Sequence, residues 1–129
     1  MNVLLDTHTL LWLVSKPSNV DADTLAILSD PGTSVWVTAA SAWEIATKTR
    51  LGRLDGGALL STWTDVIADM SSTELAIDSA DAILAGRLPW EHRDPFDRII
   101  VAQALRRNLT IATRDTKIID AAITPTLKA

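Results

Sequence analysis

The amino-acid sequence predicts an α/β fold in one domain spanning residues 1–129, with a central, mainly parallel sheet covered by helices on both faces. Three observations predict it. Short apolar runs such as Val3-Leu4-Leu5 and Val35-Trp36-Val37 are continuous rather than alternating, the pattern of strands buried on both sides. Segments with helical spacing of apolar residues separate them, so strand and helix alternate along the chain. With 129 residues and 47% hydrophobic content, the chain can build one sizeable core.

Asn2 to Leu5 is the first strand, and Leu10, Leu11, Leu13 and Val14 mark a helix that packs on it. Asp21 caps a second helix through about Leu28; Pro31-Gly32 then breaks the chain before the strand at Val35–Val37. Ser41 opens the next helix, which runs to about Arg50, and a glycine-bearing turn through Gly56-Gly57 leads into a helix carrying Leu59, Leu60, Trp63, Val66 and Ile67. A third strand spans Thr73 to Ile77, and Asp78 caps a helix through Ala85. A polar loop, Pro89 to Arg93, precedes Asp94-Pro95, an N-cap followed by proline at the first helical position. That helix ends near Asn108. A fourth strand, Thr110 to Thr113, and a short helix from Thr116 to Ala122 lead to a Pro125-containing tail.

Composition excludes several classes of chemistry. The absence of cysteine removes disulfides, zinc–thiolate and iron–sulfur centres and a cysteine nucleophile, and fits a reducing compartment such as the cytoplasm. No apolar run approaches the roughly 18 residues that span a bilayer, and Asp6 and His8 interrupt the first apolar stretch, so neither a membrane span nor an export leader is expected. A formal charge of −4 argues against broad polyanion binding but leaves room for a basic rim around an acidic pocket.

The acidic residues are the informative feature. Ligands of open parallel sheets bind beyond the carboxyl ends of the strands, where helix N-termini also gather. Asp6 directly follows the first strand, Glu44 lies early in the helix after the second, Asp97 in the first turn of its helix, and Asp115 two residues past the fourth strand. The fold therefore brings four carboxylates to one edge, where mutual repulsion opposes ionisation unless a cation is held. Hard oxygen donors without a cysteine or histidine cluster suit magnesium or manganese, the ions of phosphodiester hydrolysis through an activated water.

Each residue also has a plainer role. Ser41-Ala42-Trp43-Glu44 reads as a capping box, Asp94 as an N-cap, Asp97 as a charge favoured by the helix dipole, and Asp6 and Asp115 as caps of the helices that follow them. His8 and His92 have no evident metal-ligand partner. Trp12, Trp36, Trp43 and Trp63 are expected in the core, whereas Trp90, in the loop, could stack on an unpaired base. Arg98, Arg114 and Lys48 are candidates for contact with phosphates.

Four segments, Leu4-Leu5-Asp6-Thr7-His8, Ser41-Ala42-Trp43-Glu44-Ile45, His92-Arg93-Asp94-Pro95-Phe96-Asp97-Arg98 and Thr113-Arg114-Asp115, resemble PIN-domain proteins in the right order across nearly the whole chain, and in particular VapC-type toxins. The resemblance implies a PIN-like three-layer α/β/α sandwich and a magnesium- or manganese-dependent endoribonuclease whose catalytic and metal-holding acids are Asp6, Glu44, Asp97 and Asp115. It adds Asp94 as an auxiliary acid and Thr7 and Thr113 as hydroxyls that orient a carboxylate or water. It implies an RNA substrate, a cognate VapB-like antitoxin, a homodimer and a toxin–antitoxin hetero-oligomer. Ile118-Ile119-Asp120-Ala121 departs from the group in lacking an aromatic residue. Two other readings remain: a receiver-like acidic signalling domain, for which Lys48 and Lys117 are poorly placed, and a catalytically silent PIN-fold protein-binding module.

Overall fold

The computed structural model describes residues 1–129. Five strands, β1 (Asn2–Leu5), β2 (Ser34–Thr38), β3 (Thr73–Leu75), β4 (Thr110–Thr113) and β5 (Thr126–Lys128), form one parallel sheet in the order β3-β2-β1-β4-β5. The helices are α1 (Thr7–Ser15), α2 (Ala22–Ser29), α3 (Ala39–Arg50), α4 (Gly57–Ser61), α5 (Trp63–Asp69), α6 (Ser79–Arg87), α7 (Pro95–Arg107) and α8 (Thr116–Ala121). Successive side chains of a strand point to opposite faces. On β1, Leu4 packs with Ile111 of β4 against Ile100, Val101 and Ile118 from α7 and α8. Val3 and Leu5 pack with Val37 against Leu10, Ile45 and Ile67 from α1, α3 and α5. Both faces are dry, which is why the strand is apolar at three consecutive positions.

The structure corrects four expectations about elements. The Pro125-containing tail is a fifth strand, β5, held by Ile111 N donating to Pro125 O at 3.0 Å and Ala129 N to Thr113 O at 2.9 Å. The single helix expected to carry Leu59, Leu60, Trp63, Val66 and Ile67 is two, because the chain breaks at Thr62, whose hydroxyl donates to Ala58 O at 2.9 Å. The third strand stops at Leu75. Helix α3 starts at Ala39, capped by Thr38, whose hydroxyl accepts from Ala40 N at 3.0 Å. Ser41 is thus inside the helix, and Glu44 belongs to no capping box. The reciprocal box occurs instead in α6, between Asp78 and Asp81.

Helices α6 and α7 are joined by charge. The fully buried Asp81 carboxylate accepts from Arg106 at 2.5 Å, Arg107 at 2.8 Å and Gln103 at 3.2 Å. Burial opposes its ionisation, but these donors outweigh burial and hold the carboxyl well below the ordinary aspartate range. Asn108 ends α7 in the left-handed conformation with φ 54°, as its place after the apolar periodicity predicts.

Candidate metal centre

Strand order reverses at β1, with β2 on one side and β4 on the other, so the crevice beyond their carboxyl ends is the topological switch point of the sheet. Asp6 and Asp115 stand there. Asp6 caps α1, with Oδ1 accepting from Thr9 N at 2.9 Å, while Thr113 Oγ1 donates to Oδ2 at 2.5 Å. The same Thr113 oxygen accepts from Asp115 N at 3.0 Å, and Asp115 Oδ1 caps α8 through Lys117 N at 2.9 Å. One buried hydroxyl at the end of β4 therefore sets the spacing of two acids. Asp6 is 4% exposed, and its burial raises its pKa despite the hydrogen bonds from Thr113 and Thr9.

The other two acids arrive on α3 and α7, which pack together. Glu44 is buried and accepts through Oε2 from Lys48 Nζ at 2.5 Å. Asp97 lies in the first turn of α7; its backbone N donates to the cap, Asp94 Oδ1, at 3.0 Å, and its Oδ2 accepts from His92 Nε2 at 2.7 Å. Burial pushes the Asp97 carboxyl up to about 6, against the His92 hydrogen bond, and the negative charges of Asp94, Glu44 and Asp115 push the same way. Those three carboxylates are thus close enough to be felt at Asp97. Asp6 and Asp115 share a depression of about 300 Å³ with His8, Trp12 and Arg114.

His92 is the residue that sequence reasoning missed. Its ring, with Asp94 and Asp97, presents ligand atoms within 4.8 Å of one another, although the sequence offered it no metal-ligand partner. The only signal available was its place in the turn just ahead of the Asp94 cap. Several assigned roles also change. Arg98 spends four of its five donors on backbone carbonyls and lines an open depression beside Glu91 and Arg93. Arg114 stacks over Trp12 at 4.4 Å and donates to Asn19 O and Ala129 O, tying down the chain end beside the pocket. Lys48 is committed to Glu44 by one hydrogen bond and is partly exposed. Thr7 Oγ1 shares a hydrogen bond with Ser41 Oγ at 3.0 Å, joining α1 to α3, and touches no acid. Trp43 is 48% exposed, edge-on to Phe96 at 4.4 Å, whereas Trp90 packs onto the core.

The donor set fits a hard divalent cation. Two of the carboxylates resist ionisation because they are buried, and Lys48 and His92 are the cationic or protonatable groups bonded to the acids. The ligand atoms that lie within 4.8 Å of one another are those of His92, Asp94 and Asp97; Asp6, Glu44 and Asp115 do not join that cluster, and carboxylate donors without thiols match the preferences of magnesium and manganese.

A family model described as PIN domain matches residues 3–123 of the chain. Among solved structures, the chain is similar to VapBC2 from Rickettsia felis bound to a DNA fragment from its promoter, with TM-score 0.71 and 13% identity over 98% of each chain. It is also similar to a toxin–antitoxin complex from Klebsiella pneumoniae, with TM-score 0.66 and 19% identity over 98% of this chain and 96% of that one. FitAcB from Neisseria gonorrhoeae gives TM-score 0.62 and 21% identity over 98% and 96%. No curated protein matches. At these identities the solved structures establish a shared fold.

Proposed function

The chain belongs to the PIN-domain family, and from that premise we propose that it is a magnesium- or manganese-dependent endoribonuclease of VapC type, acting as the toxin of a toxin–antitoxin pair. The observation that supports the reading is the gathering of acids around Asp97, whose carboxyl is raised in part by the charges of Asp94, Glu44 and Asp115, beside the depression that Asp115 shares with Asp6. Family membership favours a nuclease, and the likeness to toxin–antitoxin complexes favours an antitoxin partner. A homodimer and a toxin–antitoxin hetero-oligomer are part of the same reading.

Asp6, Asp97, Asp115 and Glu44 would hold the cation, with Asp94 auxiliary. When bound, the cation supplies Lewis acidity toward the phosphodiester and an acidified water for in-line attack. The protein's own share is geometric and electrostatic. Thr113 fixes Asp6 relative to the start of α8, and the hydrogen bonds to Asp6 leave its remaining lone pairs available, since a carboxylate offers about four acceptor sites. Lys48 has two unspent donors with which to meet an RNA phosphate, and Arg114 keeps Nε and Nη1 free of hydrogen bonds at the pocket rim.

The catalytically silent binding module has one observation in its favour, because Asp6, Asp94 and Asp115 each cap a helix. Asp97 distinguishes the two readings: it caps nothing, and the charges of Asp94, Glu44 and Asp115 add to its burial in opposing its ionisation, against the single His92 hydrogen bond. Purified protein should cleave RNA with magnesium or manganese and not with a chelator present, and Asp6→Asn or Asp97→Asn should lower kcat by at least about 100-fold. Undiminished cleavage by either variant would reject these assignments.

A further inference from the structure

The loop between α6 and α7, residues 88–94, joins the helix ladders only at its ends, through Leu88 N to Leu84 O and Arg98 N to Asp94 O, yet it carries His92 to Asp97. Backbone carbonyls in such a segment need donors from elsewhere. Arg98 supplies them. Its Nε donates to Ala85 O at 2.9 Å, Nη2 to Leu88 O at 2.8 Å, and Nη1 to both Trp90 O at 2.7 Å and His92 O at 3.0 Å. The guanidinium thus grips the end of α6 and three points along the loop, and the last of them is the backbone of His92 itself.

The geometry points to Arg98 and His92 as paired positioning residues of the proposed metal pocket: Arg98 fixes the loop, the loop fixes the His92 imidazole, and the imidazole holds Asp97 by Oδ2 while Oδ1 stays free for a cation. This rests on the metal-dependent reading given above. Asp97 Oδ1 carries no hydrogen bond, whereas Oδ2 takes His92 Nε2 at 2.7 Å. The imidazole is further steadied by the Trp90 ring, 4.9 Å away between centroids, and Trp90 N donates to Leu88 O at 2.8 Å within the same clamped stretch. Arg98 and Asp97 are neighbours on α7, so one helix start presents a carboxylate to the pocket and the clamp that orients it. Only a planar fork with five donors can serve four carbonyls in fixed directions; a lysine ammonium at position 98 has three donors and no fork.

The test uses Arg98→Lys, His92→Ala and His92→Gln in the full chain, with circular dichroism to check folding. In metal-free protein, Arg98→Lys should speed amide exchange at residues 90–92 but not in β1 or β4, and should move the Asp97 carboxyl carbon resonance. His92→Ala should move that resonance without loosening the loop. Manganese affinity, read by electron paramagnetic resonance, should fall roughly 10-fold in Arg98→Lys and His92→Ala, the usual scale for loss of a group that orients a ligand, and His92→Gln should recover most of it. For RNA cleavage, kcat should fall while KM stays within about two-fold.

Wild-type manganese affinity and wild-type loop exchange in Arg98→Lys would overturn the inference, as would a His92→Gln variant no better than His92→Ala. If the wild-type protein binds no manganese, the metal reading fails; an unmoved Asp97 resonance in Arg98→Lys and His92→Ala would then also remove the positioning relay.

Discussion

Asp97 shows how one residue can serve a site at the expense of the fold. Its folded pKa, about 6, lies above the ordinary aspartate value of about 3.9, so the native state keeps a proton that the unfolded chain releases between about pH 4 and 6. Stability falls across that window and stays reduced at neutral pH in metal-free protein. Asp97→Asn removes the charge and keeps an acceptor for His92, so it should stabilise the metal-free protein by about 2 kcal/mol at pH 7 and by little at pH 4, while abolishing cleavage. Chemical denaturation at the two pH values measures this; equal stability of variant and wild type at pH 7 would show that Asp97 carries no such strain. Asp81 runs the opposite way. Its folded pKa is depressed, so its contribution is present at neutral pH and is lost as pH falls below the ordinary aspartate range. Asp81→Ala leaves Arg106 and Arg107 with the exposed Asp78 as their remaining carboxylate at the α6–α7 contact and should cost about 2 kcal/mol at pH 7, with the penalty shrinking in acid.

Elements with strong periodicity were legible in the sequence, and those fixed by side-chain contacts were not. Val3–Leu5 and Val35–Val37 announce β1 and β2 because both faces are buried, and Asp94-Pro95 and Asn108 bracket α7 through capping chemistry. The edge strand β5 is only Thr126-Leu127-Lys128, too short and too polar to register as an apolar run. The start of α3 was misplaced because Thr38 and Ser41 can both cap, and Thr38 prevails by ending β2 in an extended conformation that turns directly into the helix. Near the proposed site, Glu44 lies a turn deeper in α3 than its expected first-turn place, while the positions of Asp6 and Asp115 after strands and of Asp97 in the first turn of α7 were legible. His92 was not, since its approach to Asp97 depends on carbonyls gripped by Arg98, which no spacing reveals. Close approach of elements is equally invisible. A Cβ on Gly56 would lie 2.6 Å from both Ile45 Cγ2 and Thr49 Oγ1, so this glycine lets the turn before α4 sit against α3. Gly56→Ala should therefore lower stability by about 2 kcal/mol in thermal or urea unfolding, while Gly57→Ala, with open space around it, should be nearly neutral. Equal effects of the two would show that the contact relaxes freely.

At the scale of the whole molecule, the parallel sheet and the acidic edge are coupled through stability. No helix is long and apolar enough to cross a membrane, and the core is two apolar layers on either side of one sheet. The proposed site acids cap or lie on α1, α3, α7 and α8, so repulsion among them is borne by the entire fold. A cation bound only by the native state must then stabilise the protein globally: at 100 times its Kd the gain is about 2.7 kcal/mol. For a domain of 129 residues this corresponds to a rise in Tm of about 10 °C. Manganese should produce that rise in the wild-type protein, chelation should reverse it, and Asp6→Asn combined with Asp97→Asn should start from a higher metal-free Tm and respond weakly. The contrast separates a metal pocket from a set of helix caps, because asparagine caps a helix about as well as aspartate, so acids that only cap would leave the double variant near wild-type stability and both proteins indifferent to manganese. A wild-type Tm that ignores manganese, together with a double variant no more stable than wild type, would assign the acids to capping alone.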